Sequence, residues 1–527
     1  MTNLLSKVAA LSTTFFWYAR PLLASSVLGC APTTFSDLRL FGGTISHIGT
    51  TIYNNLSLVV PANQNHYAKN ITKLTVCEVL ITYTHPGYND TINTLVWLPT
   101  PASWTGRFLG AGGGGWTTGA DNVTLAWAAS EGFAVVTTDG GHPADVAIDE
   151  WAQISPGNVN WILLQDFAST TLDEAATLGK LVVQAFYGGK PTYSYWNGCS
   201  TGGRQGHQMA QRYPDQYDGI LATASAKNWG EMLMQEFWPQ AVMNDLDAYP
   251  TSCELDAVRM AAIEACDALD GLRDGILAVP GECTFEPETK VGQQYNCSLT
   301  GLSTTITETA ATVAKSTWKG ATSPEGDFLW YGLEPGALFT ADAATTCENG
   351  TCVGAPLGFT EAWIRYFLTM DSNYDVSRVN ISIFDYLFHQ SVNRYDSIIG
   401  TSDPDLRNFN KAGGKLITWH GLADSLIAPG TSSDYTKRVY ERDPNAADYY
   451  RYFEAPGVDH CRGGNGWFPG SAMQSLIDWV ENDVAPETLQ AETQGEAAGR
   501  KANLCMWPKK LIYVGGDADE ASSFACQ

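Results

Sequence analysis

The run Tyr193-Ser194-Tyr195-Trp196-Asn197-Gly198-Cys199-Ser200-Thr201-Gly202-Gly203-Arg204-Gln205 decides the fold. A short strand-forming stretch, Tyr193 to Trp196, enters Gly198-x-Ser200-x-Gly202, and Arg204 to Arg212 then suits a helix. Strand, sharp turn and helix is the setting in which such a serine sits on a nucleophile elbow. Small flanking residues let the chain turn tightly, lifting the hydroxyl clear of the sheet edge and close to a helix N-terminus. The pentapeptide is common by itself, so its surroundings carry the reading.

Outward from the elbow the chain alternates strand and helix signals. Apolar, β-branched runs at Val76 to Thr84, Ile92 to Leu98, Arg107 to Leu109, Phe133 to Thr138 and Gly219 to Ala224 predict strands. Leu172 to Tyr187 has helical spacing and stops at Gly188 and Gly189. The character then changes. Cysteines crowd together, and the aromatics Trp229, Phe237, Trp238, Trp330 and Tyr331 cluster. Such a cluster serves either as core or as a platform for an aromatic ligand. Alternation returns with Lys415 to Trp419, Ser432 to Tyr440, Tyr449 to Phe453 and Met473 to Trp479. One α/β domain, residues 30–225 and 409–527, is therefore expected to be interrupted by an inserted domain at 226–408. No internal repeat or low-complexity segment is evident.

A serine is a weak nucleophile at neutral pH and needs a base oriented by an acid. Asp424, in Trp419-His420-Gly421-Leu422-Ala423-Asp424, follows one strand, and His460, after Gly457-Val458-Asp459, follows the next. Of eight histidines only His460 comes late in a glycine-rich loop after a strand. Asp459 adjoins it but is poorly placed to reach back to its Nδ1, which leaves Asp424 as the acid. Cys199 precedes Ser200 and Cys461 follows His460. If serine and histidine meet, these cysteines either form a disulfide or are two unrelated thiols. The oxyanion needs N–H donors. Thr201, the residue after the nucleophile, supplies one; Gly110-Ala111-Gly112-Gly113-Gly114-Gly115-Trp116 supplies another through Gly113 or Gly114, or else is a flexible turn.

Asp267, Asp270 and Asp274 are spaced around Gly271 and Gly275. Hard oxygens between tight turns suit Ca²⁺ in a loop shorter than an EF-hand, although Asp-Gly pairs also make plain turns.

Composition bounds the class. Across 527 residues, 31 Lys and Arg against 56 Asp and Glu give a net charge of −25, which disfavours nucleic acid as a partner. With 44% hydrophobic and only 17% charged residues, global disorder is excluded. Twelve cysteines point to an oxidising compartment. Residues 1–29, with Lys7 ahead of apolar stretches and small residues Ala24, Ser25 and Ser26, resemble a secretory signal or else form an ordinary N-terminus. Sequons at Asn55, Asn70, Asn89, Asn122, Asn296, Asn349 and Asn380 suit a glycosylated, secreted, extracellular protein. No later stretch reaches the ~20 apolar residues of a membrane span, so no membrane partner is expected.

The Gly198-Cys199-Ser200-Thr201-Gly202-Gly203-Arg204-Gln205 stretch, His420-to-Asp424 and His460-Cys461 resemble the fungal tannase and feruloyl esterase family, from about Cys30 to Cys526. The resemblance implies an α/β-hydrolase catalytic domain with a large inserted lid. It implies Ser200 as nucleophile, His460 as general base and acid, Asp424 as its partner, and a Cys199–Cys461 disulfide. It also implies a structural Ca²⁺ in the lid, held by Asp267, Asp270 and Asp274 side chains and the carbonyls of Leu272 and Ile276, with no organic cofactor. The pairings Cys30–Cys77, Cys253–Cys297, Cys266–Cys283, Cys347–Cys352 and Cys505–Cys526 lean on the same likeness. The expected activity is hydrolysis of phenolic acid esters through an acyl-enzyme. A broader aryl esterase, a lipase-like esterase and a serine peptidase share the triad, and an inactive calcium-stabilised binding protein would require it broken. Galloyl and feruloyl or caffeoyl preference stays open, because the glycine loop looks like tannases and the elbow like feruloyl esterases. Oligomeric state is likewise open.

Overall fold

The computed structural model describes residues 29–527 apart from 64, 298, 299, 302, 496 and 497. The leader expected at residues 1–29 lies, but for Gly29, outside the described residues. A nine-stranded sheet organises the chain: β1 (Thr44–Val60), β2 (Lys69–Thr84), β3 (Ile92–Pro99), β4 (Arg107–Ala111), β5 (Phe133–Thr138), β6 (Tyr193–Cys199), β7 (Gly219–Thr223), β8 (Lys415–Gly421) and β9 (Tyr450–Ala455). Their spatial order is β1-β2-β3-β5-β4-β6-β7-β8-β9. The β1–β2, β2–β3 and β3–β5 pairs are antiparallel, and every pair from β5 to β9 is parallel.

Successive residues on a strand point to opposite faces, and the core follows that alternation. Leu109, Val135, Tyr195 and Leu221 pack on one face with α1 (Asn122–Ser130). Phe108, Val136, Trp196 and Ile220 pack on the other with α2 (Thr171–Tyr187). Being covered on both sides, β5 is buried at every position, as a parallel strand requires. Strand β1 was not apparent from the sequence. Register shifts at Ile45/His47 and Tyr53/Leu56 interrupt its alternation, and its residues are mostly exposed or half-buried.

Helix α3 (Thr201–Arg212) follows β6 directly. Between Thr223 and Lys415 no described residue joins the sheet; the described residues there form α4 (Trp229–Leu246), α5 (Ser252–Cys266), α6 (Glu308–Lys319), α7 (Ile381–Tyr395), shorter helices and turns, and three two-stranded ribbons. Their apolar residues make a separate core around Trp229, Phe237, Trp238, Trp363 and Phe384. Trp151, Leu164 and Phe167, which precede β6 in the chain, belong to that same core, so the region outside the sheet draws on two separate segments. After β8, α8 (Gly430–Arg442) leads to β9 and α9 (Ala472–Asn482) follows it.

Six disulfides join Cys30–Cys77, Cys199–Cys461, Cys253–Cys297, Cys266–Cys283, Cys347–Cys352 and Cys505–Cys526. Among the described residues no helix is long and apolar enough to cross a membrane.

Candidate active site

Ser200 lies between β6 and α3 with φ 62° and ψ −124°, a positive φ that L residues rarely adopt. The neighbouring backbone holds it there. Its N–H donates to Thr223 O at 3.1 Å, and its carbonyl accepts from Arg204 N at 2.9 Å and Ala226 N at 3.0 Å. The glycines are sterically required: a Cβ on Gly198 would lie 2.5 Å from the Gly202 carbonyl carbon, and one on Gly203 would lie 2.4 Å from Thr223 O.

Asp424 follows β8 and is fully buried. One oxygen, Oδ1, accepts from the backbone N–H groups of Leu426 at 3.0 Å and Ile427 at 2.9 Å. The other, Oδ2, meets His460 Nδ1 at 2.8 Å and His420 Nε2 at 3.0 Å. Because His420 Nε2 faces two acceptors, Asp424 Oδ2 and Ile427 O, it carries the proton, and Nδ1 accepts from the Ser432 hydroxyl at 2.8 Å. Ser432 in turn lies 3.4 Å from the Nζ of the fully buried Lys227. Asp459 binds backbone instead, accepting from Ser425 N at 3.0 Å and His460 N at 2.6 Å.

These contacts set the proton affinities. Burial alone would raise the Asp424 pKa, but the two imidazoles hold it well below the usual carboxylate range. Burial alone would lower that of His460, but Asp424 outweighs it and the imidazole is raised above 6.5.

The glycine loop is pinned against the elbow. Gly202 N–H donates to Gly113 O at 2.9 Å, Gly113 N–H donates to Gln205 Oε1 at 3.1 Å, and Gln205 Nε2 donates to Thr118 O at 2.9 Å. Thr201 Oγ1 adds a bond to Gly115 O at 2.7 Å. Of the two glycines expected to offer an N–H, Gly113 already spends its own on Gln205. Gln205 lies in the decisive sequence run, yet nothing in sequence spacing marks which backbone its amide reaches.

A cavity of about 450 Å³ opens over Ser200 and His460. Gly113 to Gly115 and Thr201 line one side, and Met232, Phe359, Leu426 and Ile427 another. Of the sequence-singled aromatics, Trp229, Phe237 and Trp238 are core residues, and none of the five lines this cavity; Phe359, not singled out, does.

The acidic loop is built from turns. Asp267 Oδ1 accepts from Asp274 N at 3.2 Å and Gly275 N at 2.9 Å, Asp270 Oδ1 from Leu272 N at 3.0 Å, and Asp274 Oδ1 from Ile276 N at 3.1 Å. Arg500 pairs with Asp274 Oδ2 at 2.8 Å. Burial, joined by repulsion from Asp274 and Asp267, pushes Asp270 up to about 6. The carboxylates of the loop are less tightly gathered than His85, Asp90 and Asp166, whose ligand atoms all lie within 4.8 Å of one another. Six of the sequon asparagines are exposed, and Asn380 is half-buried as a helix cap for Ile383 N.

The fold and its chemistry define a class: the chain is a carboxylic ester hydrolase with an α/β-hydrolase fold. It belongs to the tannase and feruloyl esterase family, whose model, described as "Tannase and feruloyl esterase", matches residues 77–527. A probable feruloyl esterase of Arthroderma benhamiae is 42% identical over 87% of this chain and 87% of its own. A tannase of Aspergillus oryzae is 28% identical over 97% and 96%. Among solved structures, the tannin acyl hydrolase of Aspergillus niger superposes with a TM-score of 0.85 at 28% identity, covering 95% of this chain and 94% of that one.

Proposed function

We propose that the protein is a secreted serine esterase that cleaves phenolic acid esters, feruloyl, caffeoyl or galloyl, through an acyl-enzyme. The observation that carries the reading is the 2.8 Å contact between His460 Nδ1 and Asp424 Oδ2 beside a serine held at positive φ, with Cys199 and Cys461 joined next to them. Ser200 attacks the ester carbonyl and His460 takes its proton. Asp424 stabilises the imidazolium. The same histidine then protonates the departing alcohol, and water repeats the cycle on the acyl group. Thr201 N–H and Gly114 N–H receive the oxyanion, since the Gly113 amide is engaged by Gln205.

Residues 226–408 act as the lid that roofs the acyl pocket. Its acidic loop would hold a structural Ca²⁺ through Asp267, Asp270, Asp274 and the carbonyls of Leu272 and Ile276. The hard-oxygen set and the repulsion that lifts Asp270 suit such a cation, which would tie the loop together. Secretion and glycosylation are supported by the six disulfides and the exposed sequons.

The test compares wild type with Ser200→Ala on methyl gallate, methyl ferulate, methyl caffeate and a matched aryl amide. Wild type is expected to hydrolyse at least one ester and leave the amide, while Ser200→Ala loses turnover with an unchanged melting temperature. Retained activity in Ser200→Ala would refute the nucleophile.

A further inference from the structure

We infer that Glu236 is the specificity-determining residue of the acyl pocket, receiving a phenolic hydroxyl and the ring oxygen next to it as a two-point pair. The inference rests on the esterase reading above and deepens it. Glu236 stands on α4, one turn after Met232, and both line the cavity over Ser200. Among the described residues it is the one carboxyl group doing so. The apolar Leu357, Phe359, Leu426 and Ile427 line the same cavity, as do the polar Asn63 and Arg462. Glu236 is 3% exposed, and its Oε2 has no hydrogen-bond partner among the described residues.

A buried carboxyl oxygen without a partner is costly unless a ligand completes it. Asp342, which is repelled by Glu236, is fully buried, with neither carboxyl oxygen bonded among the described residues. Burial, with repulsion from Asp424, raises the proton affinity of Glu236, and burial, with repulsion from Glu236 and Asp424, raises that of Asp342, which favours the protonated carboxyl. A protonated carboxyl sets an O–H donor beside a C=O acceptor. A ring with a hydroxyl next to another hydroxyl or a methoxy group sets a donor beside an acceptor, and the two pair at two points. A ring bearing no oxygen leaves the buried acid unanswered, and such a site discriminates strongly against it.

The experiment uses the full chain and the ratio of kcat/KM for methyl caffeate to that for methyl cinnamate, which lacks both ring oxygens. Glu236→Leu is expected to lower this ratio by at least about tenfold. Glu236→Gln keeps an acceptor beside a donor and is expected to stay within about threefold of wild type. Binding of free caffeic and cinnamic acids to Ser200→Ala and to Ser200→Ala/Glu236→Leu gives the same comparison without turnover. A ratio unchanged in Glu236→Leu overturns the inference and leaves the esterase reading standing. Glu236→Gln falling as far as Glu236→Leu overturns the two-point pairing. Wild type that hydrolyses neither ester overturns both.

Discussion

Cys199 and Cys461, 262 residues apart in the chain, are joined by a disulfide whose Cα atoms stand 5.9 Å apart. Each is the sequence neighbour of a residue that the proposed reaction uses, Ser200 on one side and His460 on the other. The bond therefore fixes the elbow and the histidine loop relative to one another. It also closes a very long loop, which restricts the unfolded chain. Replacing both cysteines with serine is expected to cost about 2–5 kcal/mol of stability and to lower kcat more than it raises KM. Thermal unfolding and steady-state kinetics of the Cys199→Ser/Cys461→Ser variant check both. Unchanged kcat would mean that the two loops keep their places unaided.

Gln205 spans the elbow helix and the glycine loop with both ends of its amide, accepting from Gly113 N and donating to Thr118 O. It touches no reacting atom in the proposed mechanism; it positions the loop that offers Gly114. Removing one oxyanion donor costs ~3 kcal/mol in comparable sites, and a loosened loop forfeits part of that. Gln205→Leu is expected to reduce kcat about 10- to 100-fold with KM changed little. Gln205→Glu keeps the acceptor for Gly113 but loses the donor to Thr118, so it falls between. A variant whose KM alone rises would place Gln205 in ground-state binding instead.

Much of this was legible in the sequence, and what was not shares a physical cause. The strand-turn-helix around Ser200 announces itself because glycines at Gly198 and Gly203 are needed at fixed offsets for steric reasons. Strands β3, β5 and β8 are apolar runs that burial on both faces demands. In contrast, β1 hides because bulges break its period, and Trp151, Leu164 and Phe167 join a core formed mainly by residues much later in the chain. Gln205, His420 and Glu236 are ordinary polar residues in sequence. Their importance lies in what they face, namely a loop amide, a buried aspartate and the cavity over Ser200. No spacing rule brings helix α4 to the same cavity as Ser200 and His460.

The raised proton affinity of His460 sets the sign of a pH effect. In the proposed mechanism the base form is the active one, so activity is expected to fall as the pH drops through the histidine's pKa. Asp424 holds that pKa above 6.5, placing the acid limb of kcat/KM above that of a free imidazole. Asp424→Asn removes the charge, and burial then dominates. The limb should move to lower pH while kcat drops by about 10³–10⁴. pH–rate profiles of wild type and the residual activity of Asp424→Asn test this, and a limb that stays in place would detach the pH dependence from the His460–Asp424 pair.

Lys227 ends the buried chain that runs from Asp424 through His420 and Ser432. Its Nζ lies 5.0 Å from the centre of the Tyr435 ring, and among the described residues no salt bridge involves it. Burial, with Arg438 adding repulsion, pushes its pKa down to about 7, whereas an unfolded lysine titrates near 10.4. The unfolded chain therefore binds one more proton between those values, and stability rises with pH across that window. Below pH 7 the cost is at its full value. Lys227→Met keeps the volume and removes that cost, at the loss of one hydrogen bond to Ser432. It is expected to stabilise the protein by about 1–4 kcal/mol at pH 6, with the gain shrinking as the pH is raised to 9. Denaturant unfolding at the two pH values measures the difference. A gain that is the same at both would show that Lys227 is not protonating in this range; a loss at both would show that its bond to Ser432 outweighs the burial of its amine.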